Sequence, residues 1–147
     1  MISHANESDF SEWLRMRRAL WPDCAEEMHA FEMKAQVSAG DGDEGVTFVF
    51  KRPEGGLGGF VEVAIRDRVD GSMSGRVGYI EGWYVDADLR GQGVGAQLIA
   101  RAEEWARSQG LTEIASDAEI ENTGSIQAHH ALGFRETFRL VHFLKPL

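Results

Sequence analysis

At 147 residues, 43% of them hydrophobic, the chain has enough apolar material for one packed core and is read as a single domain over 1–147. Its formal charge of −9 argues against nucleic acid as a partner, because a phosphate backbone needs Lys and Arg to neutralise it. No apolar run reaches membrane-span length, and 1–20 carry Glu7, Asp9, Glu12, Arg15, Arg17 and Arg18, so neither membrane insertion nor a secretory leader is expected.

Residues 1–5 are read as a short first strand. Over 8–20, Phe10, Trp13, Leu14, Arg17 and Leu20 recur near the helical period, and Pro22 stops the helix. The single cysteine, Cys24, has no partner for an internal disulfide, and a cytoplasmic setting fits. A second helix is expected over 26–37, with Met28, Phe31 and Ala35 on one side. An acidic turn follows at 40–45, then a strand over 46–50 rich in β-branched and aromatic residues. Pro53-Glu54-Gly55-Gly56 turns the chain into a strand at 57–66, and polar residues 67–76 form a loop. A central strand is expected over 78–85. In the helix at 93–109, Val94, Leu98, Ala102 and Trp105 make the buried stripe, and Gly110 caps it. A strand at 111–116 follows. Asn122 or Thr123 caps a helix that runs to about Leu132, Gly133 ends it, and two short strands, 135–138 and 140–145, finish the chain.

The most informative stretch is Asp88-Leu89-Arg90-Gly91-Gln92-Gly93-Val94-Gly95-Ala96, which joins the central strand to the long helix. Glycines let backbone N–H groups approach a ligand, and a helix start adds unpaired donors and partial positive charge. With Arg90 at the mouth, the fitting ligand is a phosphate or pyrophosphate. No Gly-Lys-Ser/Thr follows, so this is not a P-loop, and Gly91-x-Gly93-x-Gly95 lacks the dinucleotide spacing.

Arg90-x-x-Gly93-x-Gly95 resembles the Gln/Arg-x-x-Gly-x-Gly/Ala signature of the GCN5-related N-acetyltransferases, and Asn122 with Ala131-Leu132-Gly133-Phe134 stands where that family has its second element. The resemblance covers essentially the whole chain. It implies an α/β fold, β-α-α-β-β-β-α-β-α-β-β, with a mixed, twisted and splayed sheet flanked by helices and acetyl-coenzyme A in the splay. Cofactor contacts would then come from Trp83, Tyr84 and Val85, mainly through the main chain, from Arg90, Gly91, Gln92, Gly93, Val94, Gly95 and Ala96, and from Asn122 and His129. His129 takes the place of a tyrosine that often serves the family as general acid, so it is expected beside the pantetheine arm. No metal is expected.

Acetyl transfer requires that an amine lose its proton. Glu81, a carboxylate between Ile80 and Trp83, is read as a substrate-binding group or general base, or else as a solvent-facing edge position. In the acidic run 117–121, Asp117 is the better substrate ligand, whereas Glu121 suits a helix N-terminus. Four segments together resemble the type I aminoglycoside 6′-N-acetyltransferases: Leu20-Trp21-Pro22, Tyr79-Ile80-Glu81-Gly82, Ala115-Ser116-Asp117 with Glu121-Asn122-Thr123, and His129-x-Ala131-Leu132-Gly133-Phe134. That resemblance implies an aminoglycoside pocket lined by Trp21, Glu81 and Asp117 and bordered by Arg68, in a homodimer. Two other readings stay open. One is an acetyltransferase of the same fold acting on a polyamine, a small metabolite amine or a protein N-terminus. The other is a coenzyme A-binding module without catalysis.

Overall fold

Phe48 and Val61 point into one face of a sheet, Val49 and Phe60 into the other, and this alternation makes both faces of the central strands apolar. The computed structural model describes residues 1–39 and 44–147, so the expected acidic turn lies, apart from Glu44 and Gly45, outside the described residues. The described strands are β1 (Ile2–His4), β2 (Gly45–Lys51), β3 (Leu57–Asp67), β4 (Arg76–Val85) and β5 (Ile114–Ser116). They form one sheet in the order β1-β2-β3-β4-β5, antiparallel except for the parallel β4–β5 pair. The helices are α1 (Phe10–Leu20), α2 (Glu26–Ala39), α3 (Val94–Ser108) and α4 (Thr123–Ala131). α3 covers one face with Val94, Leu98, Ala102 and Trp105, as expected; Trp13 and Met16 of α1 and Met33 of α2 cover the other. Among the described residues no helix is long and apolar enough to cross a membrane.

Two features of the sheet position the site. The β3–β4 register passes from Glu62↔Gly82 to Val63↔Ile80, so Glu81 is the extra residue of a β-bulge. A bulge bends the strand and re-aims its side chain. The β4–β5 pairing ends at Ile80↔Ser116, whereas β4 runs on to Val85. The sheet therefore forks, and among the described residues no strand neighbours the far edge of β4 beyond Ile80.

Several expectations are corrected. Helix α1 starts at Phe10, after a 3₁₀ turn over Glu7–Asp9 closed by the Asn6 and Asp9 side chains. On α2 the expected apolar side faces outward: Met28 and Phe31 are exposed, while His29 and Met33 are buried. Buried Arg17 gives His29 a polar partner, and that pairing overrides the apolar pattern. β5 is shorter than 111–116; Leu111 is in the core but outside the strand. The two expected C-terminal strands are absent. Residues 135–147 carry no regular structure, because a strand needs a partner for its backbone and the described chain offers them none. Leu140, Val141, Phe143, Leu144 and Leu147 are exposed along this tail.

Candidate active site

The glycine turn is built as an open cradle. Gly91 and Gly93 have φ of +74° and +85°, a conformation that disfavours side chains, and the space where a Cβ would stand is empty at both. Gly93 is the N-cap of α3 and no side chain caps that helix, so its first amides are left for an anion. Gly95 lies close against Trp83: an added Cβ would stand 3.1 Å from its ring. Arg90 folds back, its Nε donating to the Val85 carbonyl at 2.9 Å, with its guanidinium 5.7 Å from the Tyr84 ring centre. Gln92 Nε2 donates to the Asp88 carbonyl at 2.7 Å.

Beneath the turn is a brace that the sequence does not reveal. Buried Asp86 accepts from Arg15 Nη1 and Nη2 and from Arg52 Nη2, each at 2.9 Å, and Arg52 also holds Asp88 at 2.8 Å. Burial works to raise the Asp86 pKa, but the two guanidinium groups outweigh it and hold the carboxyl below its ordinary range. These cations offset two carboxylates that would otherwise repel an anion at the turn.

Beside the bulge lies a cleft of about 770 Å³ whose lining includes Trp21, Glu32, Glu62, Glu81 and Glu119. Trp21 reaches Glu81's neighbour: a Cβ on Gly82 would stand 2.5 Å from the Trp21 ring, so glycine there makes room for the aromatic wall. Phe31 and Ala35, the apolar side of α2, also line this cleft. Glu81 is not a free carboxylate. Arg66 grips it with Nε at 2.8 Å and Nη2 at 2.6 Å, and the same guanidinium lies 3.7 Å over the Tyr79 ring. The Tyr79 hydroxyl donates to Asp117 Oδ2 at 2.5 Å. Burial and this carboxylate push the Tyr79 pKa up, so the phenol remains a donor. Glu81 and Asp117 thus belong to one chain of contacts, Glu81–Arg66–Tyr79–Asp117, although Asp117 does not itself line the cleft.

Behind Trp21 sits a buried polar cluster. Arg17 pairs with Glu62 at 2.5 Å, donates to His29 Nδ1 at 3.1 Å, bonds Glu32, and lies 4.8 Å over the Trp21 ring. Trp13 Nε1 donates to the same Glu62 oxygen at 3.0 Å. Burial pushes the Glu62 pKa up, and Arg17 pulls it back. A carboxylate between Val61 and Val63 is a signal in the sequence that Glu62 needs a partner.

Arg68 stands at φ +56° in the β3–β4 loop and, among the described residues, is not one of those that line the cleft. That loop is pinned by Glu113, which accepts from Ser72 Oγ at 2.9 Å and Ser74 Oγ at 2.5 Å, and from the Met73 and Ser74 amides. The Ser74 and Ser72 hydroxyls lead these donors in pulling the Glu113 pKa down to about 2. Asn122 accepts from the Ser125 amide at 3.1 Å as the N-cap of α4. His129 packs edge-on to Trp83 and Phe134, with ring centres 5.1 and 5.2 Å away, and so faces the fork. The buried Trp83 indole N–H has no hydrogen-bond partner.

Residues 8–134 match the model of the acetyltransferase (GNAT) family. The chain is 38% identical over 147 residues to an aminoglycoside N(6′)-acetyltransferase type 1 of Klebsiella aerogenes, covering 100% of this chain and 97% of that one. The fold is similar to that of AAC(6′)-Iy in complex with the bisubstrate analogue CoA-S-monomethyl-acetylneamine, with a TM-score of 0.90, 34% identity, and 100% and 98% of the two chains covered. It is equally similar to the apo aminoglycoside 6′-N-acetyltransferase of Acinetobacter haemolyticus, with a TM-score of 0.90, 33% identity, and 100% and 99% covered.

Proposed function

The chain belongs to the acetyltransferase (GNAT) family, and on that premise we propose that it moves the acetyl group of acetyl-coenzyme A to the 6′-amine of aminoglycoside antibiotics, conferring resistance. The observation that carries the substrate choice is the cleft: an aromatic wall, Trp21, faces Glu81, with Glu32, Glu62 and Glu119 around it. Such a lining suits an amphiphilic polycation. The relatives' own names supply the position acetylated. The test is the acceptor preference of the purified enzyme, with the product's acetylated nitrogen identified.

The empty cradle at Gly91 and Gly93 fits a pyrophosphate. Amides from Gly91 to Ala96 and the charge of Arg90 would hold it, and the unpaired β4 edge, Trp83 to Val85, would hold the pantetheine amides. Asn122 and His129 would flank that arm. The bound thioester supplies the activated acetyl group. A folded Gly93→Trp variant is expected to raise the acetyl-coenzyme A dissociation constant by about 10- to 100-fold, the worth of one charge-assisted hydrogen bond. Unchanged affinity by calorimetry would place the phosphates elsewhere.

Trp21, Glu81 and Asp117 hold the acceptor, with Arg68 at the rim. The acceptor's ammonium groups take the place of Arg66 on Glu81, and Glu81, directly or through water, then receives the proton. Asp117, steadied by Tyr79, binds a further amine. The whole chain, 1–147, works as one domain in the cytoplasm, as a homodimer. The exposed apolar tail is the feature that supports self-association. A sedimentation mass of one chain at micromolar concentration would refute the dimer.

A further inference from the structure

Where β4 and β5 part, the last paired residue of β5 is Ser116, and its hydroxyl lies 2.7 Å from His129 Nε2. The other ring nitrogen, Nδ1, lies 2.7 Å from the Ser125 carbonyl, which can only accept. Nδ1 therefore carries the hydrogen, and in the neutral ring Nε2 must accept from Ser116. The ring is held edge-on between Trp83 and Phe134. An imidazole with its tautomer set by a carbonyl and its free nitrogen on a hydroxyl is built to exchange a proton with that hydroxyl.

The place of this pair matters. Ile80, opposite Ser116, precedes the bulged Glu81, and Asp117 follows Ser116. Ile80 packs in the core under α3 while Glu81 lines the cleft, so a thioester threaded through the fork and attacked by an amine at Glu81, about 3–3.5 Å from its carbonyl, would have its sulfur between the two faces, within reach of Ser116. We propose that Ser116 is the proton donor to the departing coenzyme A sulfur, with His129 acting through it as a positioning and proton-supplying residue. The inference rests on the acetyl-transfer reading.

With His129 protonated, Nε2–H donates to Ser116 Oγ and leaves the serine hydrogen free to point at sulfur. As the C–S bond breaks, its electron pair stays on sulfur. Ser116 gives its proton to that sulfur and takes one from Nε2. His129 is left neutral with Nδ1–H still on the Ser125 carbonyl. The proton released by the acceptor amine returns to the ring through solvent. The pair therefore works as a unit: the proton that leaves Ser116 Oγ is replaced across the 2.7 Å contact to His129 Nε2.

The test compares wild type with Ser116→Ala, His129→Gln, His129→Tyr and the double variant Ser116→Ala, His129→Gln. Two readouts are used: kcat and KM across pH 6 to 10 with one good acceptor, and the thiol pKa of coenzyme A bound to each protein, followed by thiolate absorbance. Ser116→Ala and His129→Gln are each expected to lower kcat about 10²-fold with KM little changed, the low end for acid catalysis because a thiol near pKa 8.5 leaves readily. The double variant should lose no more than either single one, since the two act as a unit. His129→Tyr, which keeps a proton donor beside Ser116, should lose less kcat than His129→Gln. In wild type the hydroxyl stabilises bound thiolate, so the thiol pKa should rise when Ser116 becomes alanine. Wild-type kcat in Ser116→Ala, or a loss confined to KM with the thiol pKa unmoved, overturns the assignment. Acetyl transfer by wild type to no amine would instead overturn the reading on which it rests.

Discussion

The Glu81→Gln variant is expected to lose about 10²–10⁴ in kcat, the usual contribution of a general base. Asp117→Asn is expected to act mainly on KM. The difference follows from what each carboxylate touches. Glu81 sits on a bulge, in the cleft, beside the fork, and its present partner, Arg66, is half-exposed and exchangeable for a substrate cation. A lysine-like ammonium is neutral in only about one part in a few thousand at pH 7, so an acceptor amine needs a group to take its proton. Asp117 instead accepts from Tyr79, which remains protonated, and offers its remaining oxygen to a cation. Neutralising a group that binds ground state and transition state alike raises KM and spares kcat. Steady-state kinetics of both variants against one acceptor, from pH 6 to 9, separate the roles. A Glu81→Gln enzyme with wild-type kcat and pH profile would remove Glu81 as the base.

Arg17→Ala is expected to cost about 3–5 kcal/mol of folding stability, because it leaves the Glu62 carboxylate buried without its counter-ion. The pH dependence has a definite sign. Burial already raises the Glu62 pKa, and removing Arg17 raises it further. A carboxyl whose folded pKa exceeds its unfolded value binds more protons when folded, so stability falls as pH rises through that window. The variant should therefore recover stability toward pH 4 and be weakest at neutral and alkaline pH. The double variant Arg17→Met, Glu62→Gln, which removes both charges, should be far less destabilised. Thermal denaturation of the three proteins at several pH values is the measurement. Equal losses in the single and double variants would show that the pair is not what stabilises this region. Arg17 also lies over Trp21, so weaker acceptor binding should accompany the stability loss.

The parts of this molecule that were legible in the sequence are those set by local rules. The stripe Val94, Leu98, Ala102 and Trp105 follows the 3.6-residue period and is buried. β2 shows in its β-branched and aromatic residues, and the glycine turn in residues that let backbone N–H groups approach an anion; the positive φ at Gly91 and Gly93 appears only in the structure. What the sequence hid depends on partners distant along the chain. Arg15 meets Asp86 and Arg66 meets Glu81 only after the sheet has formed. The bulge that singles out Glu81 is a property of the β3–β4 register, which no pattern within β4 contains. On α2 the apolar pattern misleads, because Phe31 and Ala35 face the cleft while His29 is drawn inward by Arg17. The tail has strand composition, but composition does not supply a pairing edge.

Whether this fork and cleft acetylate an aminoglycoside at its 6′ nitrogen is read by incubating the full chain with acetyl-coenzyme A and, separately, kanamycin, tobramycin or spermidine. Thiol release is followed, and the product is identified by mass spectrometry and NMR. One acetyl group per aminoglycoside, on the 6′ nitrogen, is expected, with spermidine a poor acceptor. Turnover of spermidine with none of either aminoglycoside, or acetylation at another nitrogen, would contradict it.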